Sequence, residues 1–328
     1  MRDFRLIVLF AVAFACLPFF THSGVILNAL MMALFACLMS QSWNILGGFG
    51  GQLSFGHALF FGTGAYAQAI FQIQYGVNPW AALALAVSIS SILGGVLGWI
   101  SFRYGLRGSY FALITLAFAE VFRILSLSSS ITGAGVGLML PLSESIGNMQ
   151  FSSKTGFIEL ILSMNVIALL ITLWLKNSRL GAYLQAVRDN EDAAKALGVN
   201  PLKVKFFAIS ISASLMGAAG CFYVQVFQYI DPNLAYGAHT SVSALVGAIV
   251  GGMGTLWGPV LGAFALELLS SLTRNFLGEL PGINMVVYGS LLIAIIMFLP
   301  KGLIGLFSSL GAKPQTRGGI AVDSKLKS

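Results

Sequence analysis

Charge is what this chain lacks most. Only 9% of its 328 residues are Asp, Glu, Lys or Arg, where a soluble domain carries about 25%. A soluble enzyme of this size would have to cover its surface with polar side chains that are not here. A nucleic-acid binder would need far more than 18 Lys and Arg on its exposed faces. Cysteine is nearly absent as well. Cys16, Cys37 and Cys221 stand alone in apolar runs, which excludes a disulfide framework or a CxxC metal site and leaves them as small packed hydrophobes. His22, His57 and His239 are equally dispersed, so no metal site is expected. No G-x-x-x-x-G-K-[ST] loop occurs, so the chain cannot cradle and hydrolyse ATP itself. No G-x-S-x-G elbow occurs either, which leaves an intramembrane hydrolase built on Ser54 and His57 as a remote alternative.

What is present is apolar matter: 57% of the residues are hydrophobic, and 38 are glycine against nine proline. A bilayer helix needs about 20 apolar residues. Runs of that kind lie at 6–21, 25–46, 54–73, 80–102, 108–126, 157–175, 204–228, 238–252, 256–275 and 283–299. The expected fold class is therefore an all-α integral membrane protein, a polytopic bundle of about ten transmembrane helices. The run at 238–252 is short and glycine-rich, as in a broken or re-entrant segment lined by protein. Arg2 and Arg5 before the first run suggest a signal peptide, but no A-x-A site follows, and a retained first helix is expected.

The scarce charges carry the topology. With ten spans, 15 of the 18 basic residues fall on one side, leaving Arg123, Lys154 and Arg274. By the positive-inside rule that side is cytoplasmic, and so are both termini. The net charge of +7 is then a topology signal rather than a binding patch.

The loop 176–205 holds nine of the 29 charges. Within it, Asp189 can cap a helix with Asp192 three residues on. Ala193, Ala194 and Leu197 offer a small apolar face, Gly198 can take the left-handed conformation after the last turn, and Pro201 blocks continuation. The reading is a short, stiff amphipathic helix outside the membrane, fit to dock on a partner; an ordinary charged loop is the plainer alternative.

Asp192-Ala193-Ala194, three residues and Gly198 resemble the E-A-A-three-G cytoplasmic signature of bacterial ABC importer permeases, with Asp in place of Glu. The longer stretch Ser178 to Gly198 resembles the high-affinity branched-chain amino acid permeases of the LivM type. Four more blocks fit the same family in order: Ser42 to His57, Leu106 to Glu120, Val250 to Gly262, and Pro300 to Gly305. Together they span residues 42 to 306. The resemblance implies a permease domain over 1–306, with a coupling loop at 176–205 and a polar cytoplasmic tail at 307–328, in the bacterial inner membrane. It implies ATPase-coupling roles for Asp189, Glu191, Asp192, Ala193, Ala194 and Gly198. The implied partners are a second homologous permease, two ATP-binding cassette subunits and a periplasmic or extracellular binding protein. No cofactor would be bound by this chain; ATP and Mg would be used by the partner subunits. Where the family is expected to carry an acidic residue near the eighth span, this chain has Ser241-Val242-Ser243. The substrate could therefore depart from leucine, isoleucine or valine toward another small molecule such as urea or an amide.

A substrate pathway is sought where helices break. Five glycines between 47 and 56 each cost about 1 kcal/mol of helix propensity relative to alanine. Gln52, Ser54 and His57 follow in an apolar neighbourhood and, with Thr115 and Glu120, are the candidate pathway residues. For Ser54 and His57, satisfaction by neighbouring carbonyls is an equal alternative. Glu120 lies about 18 Å along the helix from Gly108, and is either paired with Arg123 at i+3 or placed to gate or couple an ion. Glu267 carries the same ambiguity with Arg274. Gly247 to Gly262 form a small-residue stripe for close helix packing, within the chain or against a second permease. Gly-Gly-X-Gly recurs at 47–50 and 251–254, a hint of an internal repeat. The Ser-rich segment 127–156 reads as a flexible outer loop.

Overall fold

The computed structural model describes residues 2–21, 23–277, 286, 289, 290, 293, 297 and 302–305. Helices dominate. α1 (Arg2–Phe20), α2 (Gly24–Asn44), α4 (Pro79–Arg103), α5 (Gly108–Ser128) and α6 (Lys154–Asn177) are each long and apolar enough to cross a bilayer, as is α9 (Pro201–Phe227). These make six such helices among the described residues. α3 (His57–Tyr75), α11 (Ala238–Gly251) and α12 (Gly258–Leu277) pack among them. Most of the span expected at 283–299, and the tail 307–328, lie outside the described residues.

Two expected spans change shape. The run at 54–73 becomes a helix only from His57, because the chain from Gly51 to Gly56 is non-helical. α2 runs into a π-helical turn, Ile45–Phe49, and the chain leaves it through Gly51 at φ +64°, a conformation that favours glycine. The run at 238–252 is a 14-residue helix, short as expected, and ends at Gly252 with φ +124°.

Small residues set the closest approaches. α9 is the spine: α3 meets it where a Cβ on Gly64 would strike the Gly217 backbone, and α4 where a Cβ on Gly94 would strike Ala213. Gly251 and Gly262 abut the Gly258 and Gly247 carbonyls. The glycine stripe therefore closes α11 onto α12 within this chain, and the small side chains let the backbones approach.

One end of the bundle is basic. Lys176 reaches Asp3 at 2.8 Å, and Arg107 at the start of α5 reaches Asp192 at 3.3 Å. At the opposite end the segment 127–156 is folded rather than loose. It holds three 3-10 turns and a strand β1 (Leu138–Met139) paired antiparallel with β2 (Tyr229–Ile230). The Tyr229 hydroxyl donates to the Val136 carbonyl at 2.9 Å. A serine-rich composition concealed this order, which comes from local bonds such as Ser143 N to Gln150 and from a strand some 90 residues away.

Candidate functional site

Three places carry polar groups where apolar packing would be expected: the charged end around residues 179–200, the helix break at 50–57, and a cavity beside α2.

At the charged end the loop is two helices, α7 (Arg179–Asp189) and α8 (Glu191–Ala196). The cap of α8 is Asn190, not Asp189: its side chain accepts from Asp192 N at 3.1 Å and Ala193 N at 2.9 Å. Asp189 instead finishes α7, where Arg188 donates to its carboxylate. Asp and Asn cap about equally well, so adjacent candidates cannot be separated without the backbone. Asn190 is the one with extended backbone, at φ −157°.

The small apolar face is divided. Ala194 is buried while Leu197 is 85% exposed. Gly198 has φ +86° and nothing within 4 Å of a Cβ placed on it. Ala193 and Asp192 are exposed. α8 thus turns one side to the bundle and presents the other, with an uncovered leucine, outward. Its inward anchor is Glu191, which pairs with Lys205 at 2.5 Å and Arg107 at 3.2 Å. Lys205 is 2% exposed and lies over the Phe102 ring. A buried ammonium left without its carboxylate would be costly, so α8 is firmly tied to α9.

α7 reaches deeper. Leu184 is fully buried, and Arg188 Nη1 donates to the Gly48 carbonyl at 3.1 Å. Asn44, one turn before Gly48, donates to the Thr255 carbonyl at 2.9 Å and accepts from Gly254 N at 2.8 Å. The two Gly-Gly-X-Gly segments therefore face each other, and the charged end touches both.

The break at 50–57 gathers Ser54, His57 and Thr115, but as a sealed lock. His57 is fully buried; Nδ1 lies 3.1 Å from Ser54 Oγ and Nε2 lies 2.9 Å from Ser212 Oγ. Ser212 donates its proton to the Ser42 carbonyl at 2.7 Å, so Nε2 must be the donor to Ser212 and Nδ1 the acceptor from Ser54. Ser42 donates back to the Ser212 carbonyl at 2.7 Å, and Trp43 Nε1 donates to the Ser54 carbonyl at 2.8 Å. Thr115 accepts from Phe55 N at 3.2 Å, and Ser241 accepts from Ala58 N at 2.7 Å. Backbone donors freed by the break are thus met by side chains from α5 and α11. Serines take both imidazole nitrogens and a carboxylate takes neither, so a hydrolytic triad is not assembled. Gln52 sits beside this lock, buried, its side chain donating to the Gly50 carbonyl at 3.3 Å and its backbone N–H to the Leu46 carbonyl at 3.1 Å.

Glu120 stands apart. Its side chain is half exposed on the outer face of α5 and pairs with Arg123, which also donates to Asn233 at 2.7 Å.

The cavity is a place that pattern reading missed. It has a volume of 1110 Å³ and lies between α2, α11 and α12, lined along α2 from Gly24 and Asn28, near Lys154, to Ser40 beside Gly247. Sixteen residues separate Gly24 from Ser40, roughly 24 Å of helix. Val242, Ser243, Leu266 and Glu267 line its walls, so one of the serines standing where an acid was expected faces this space. The Ser40 hydroxyl is buried and makes no hydrogen bond among the described residues. Below Ser40 the seam between α2 and α11 closes through Asn44 and Gly254.

A family model described as the permease component of branched-chain amino acid transport systems matches residues 25–296. The chain belongs to this family. It is 29% identical to the high-affinity branched-chain amino acid transport system permease protein LivM of Salmonella typhimurium, over 88% of this chain and 71% of that protein. It is 24% identical to the corresponding LivH protein of the same organism, over 82% of this chain and 90% of that one. A ribose import permease of Escherichia coli, RbsC, is 25% identical over 69% of this chain and 70% of its own length. No solved structure matches. The family and the six apolar helices make this a multi-pass membrane protein of the permease class.

Proposed function

We propose that this chain is a membrane-spanning permease subunit of an ABC importer that carries branched-chain amino acids across the bacterial inner membrane. The energy comes from ATP and Mg in two cassette subunits. A second homologous permease completes the membrane unit, and a binding protein delivers substrate from outside. The family match over residues 25–296 carries the reading.

The geometry supports it. α8 offers a capped, outward-facing surface with Leu197 uncovered, tied through Glu191 to the starts of α5 and α9. Motion imposed on that surface by an ATPase would pass into two spans at once. Asp192, Ala193 and Gly198 would meet the ATPase, while Asp189, Glu191 and Ala194 face the bundle or hold α7. Basic residues crowd this same end, and the positive-inside rule supports a cytoplasmic placement for it, with the Gly24 end of the cavity toward the outside. The cavity, mostly apolar with a few hydroxyls and two charged groups, suits a small amphipathic solute. Glu120 is committed to Arg123, which argues against an ion-coupled carrier.

Uptake by the reconstituted complex, assayed with branched-chain amino acids, ribose and urea, tests the substrate class. ATP-driven uptake of leucine, isoleucine or valine is expected; uptake of ribose or urea alone would overturn the assignment. Gly198→Trp should leave membrane insertion intact while lowering uptake per ATP hydrolysed by roughly tenfold or more. A left-handed residue with a side chain costs about 1–2 kcal/mol, and the open space around it is where the ATPase is placed. Unchanged coupling in that variant would refute the docking role.

A further inference from the structure

The two glycine-rich breaks have one cation in common, and its position does more than support a loop. Arg188, at the end of α7, lays its aliphatic stem on Gly51, where any Cβ would strike Arg188 Cγ. Its guanidinium donates through Nη1 to the Gly48 carbonyl at 3.1 Å, while Nε and Nη2 are held by Asp189 Oδ1, each at 3.2 Å. The same Nη1 would lie 3.0 Å from a Cβ on Gly254, and so would the Gly48 carbonyl. Gly254 in turn is bonded to Asn44, one turn along α2 from Ser40 in the cavity lining. Along one seam, Ser40 abuts Gly247 and Asn44 grips Gly254, and Arg188 closes the line from beneath.

We propose that Arg188 is a latch: it holds the breaks at 47–51 and 252–254 together and so keeps the cavity closed toward the cytoplasmic end until α7 and α8 move. The inference rests on reading the chain as a permease subunit. Three physical points carry it. Carbonyls in a π-helical turn and in the bend after α11 lack regular helical partners, so they are points where the path can part without breaking a long helix. A guanidinium bond to one such carbonyl is charge-assisted, stronger than a neutral bond yet reversible. Finally, Arg188 belongs to the segment that continues into α8, two residues before its cap, so displacement of α8 withdraws the guanidinium directly.

The test uses the whole complex in liposomes loaded with radiolabelled leucine, without nucleotide. Arg188→Met keeps the stem on Gly51 and removes the guanidinium. Efflux on the order of tenfold faster than wild type is expected, the shift that follows from losing one charge-assisted bond from the closed state. Gly254→Ala attacks the same contact from the other break and should leak likewise. Arg188→Lys, which keeps a donor, should restore part of the seal. A residue that merely held the fold together would lower assembly without opening a nucleotide-independent path. Tight vesicles with both Arg188→Met and Gly254→Ala would overturn the latch. If the methionine variant does not assemble, the alanine variant alone decides. Wild-type complex run alongside separates the two claims: if it fails ATP-driven leucine uptake, the substrate assignment falls; if it succeeds and the variants stay tight, the latch falls.

Discussion

The lock around His57 and the cavity beside α2 are built from the same materials. Both place hydroxyls and a histidine or charged group among apolar helices, and both lie against α2. In the lock, each imidazole nitrogen has a serine and the Ser42–Ser212 pair closes on itself with two bonds of 2.7 Å. In the cavity wall, Ser40 makes no hydrogen bond among the described residues and is packed against Gly247, while Ser243 is part-exposed on the void. Polar residues in a membrane core are often taken as a mark of function. The contrast shows that satisfaction discriminates better than polarity. A satisfied cluster holds helices in register; an unsatisfied group beside a void is one that a passing solute can engage.

That contrast can be broken from either side. His57→Ala should have the largest effect, because it leaves the Ser54 and Ser212 hydroxyls facing a hole in the core. A loss of about 3 kcal/mol is expected from the cavity and the lost bonds together. Thermal unfolding of the purified complex would register it, with uptake falling in proportion to folded protein at unchanged KM. A large KM change at normal stability would mean the lock is part of the pathway. Ser243→Ala, on the cavity wall, should do the reverse. Stability should move by less than about 0.5 kcal/mol, since no protein hydrogen bond is lost. The KM for uptake should change severalfold while the melting temperature holds.

Much of the fold was legible in the residues, and the errors are instructive. Long apolar runs located the six helices long and apolar enough to cross a bilayer, because a bilayer demands length and apolarity from each segment alone; the expected count of ten is not reached among the described residues. The five glycines after Leu46 announced the break correctly, since helix propensity is a local property. The identity of the α8 cap slipped by one residue, because Asp189 and Asn190 are chemically able to do the same work. Ser54, His57 and Thr115 stood out as polar residues in apolar surroundings, yet their partners Trp43, Ser212 and Phe55 come from α2, α9 and the break itself. Ser40 and Asn28 drew no notice, and Ser243 only as a departure from an expected acid, for the same reason: their place lies in a void between α2, α11 and α12, whose walls are some 200 residues apart in the chain. Gly47–Gly50 and Gly251–Gly254 were similar enough to suggest a repeat. Only Asn44 and Arg188, read in three dimensions, explain why both segments need the same close approach.

Thiol accessibility tests the distinction between lock and cavity most directly. Ser243→Cys and Ser54→Cys would be placed singly in a chain from which Cys16, Cys37 and Cys221 have been removed, assembled in sealed membranes without nucleotide. A membrane-impermeant thiol reagent added from outside should label position 243, on the cavity wall, and spare position 54, which is wholly buried. Labelling at 54 with protection at 243 would contradict the account and return the pathway to the helix break.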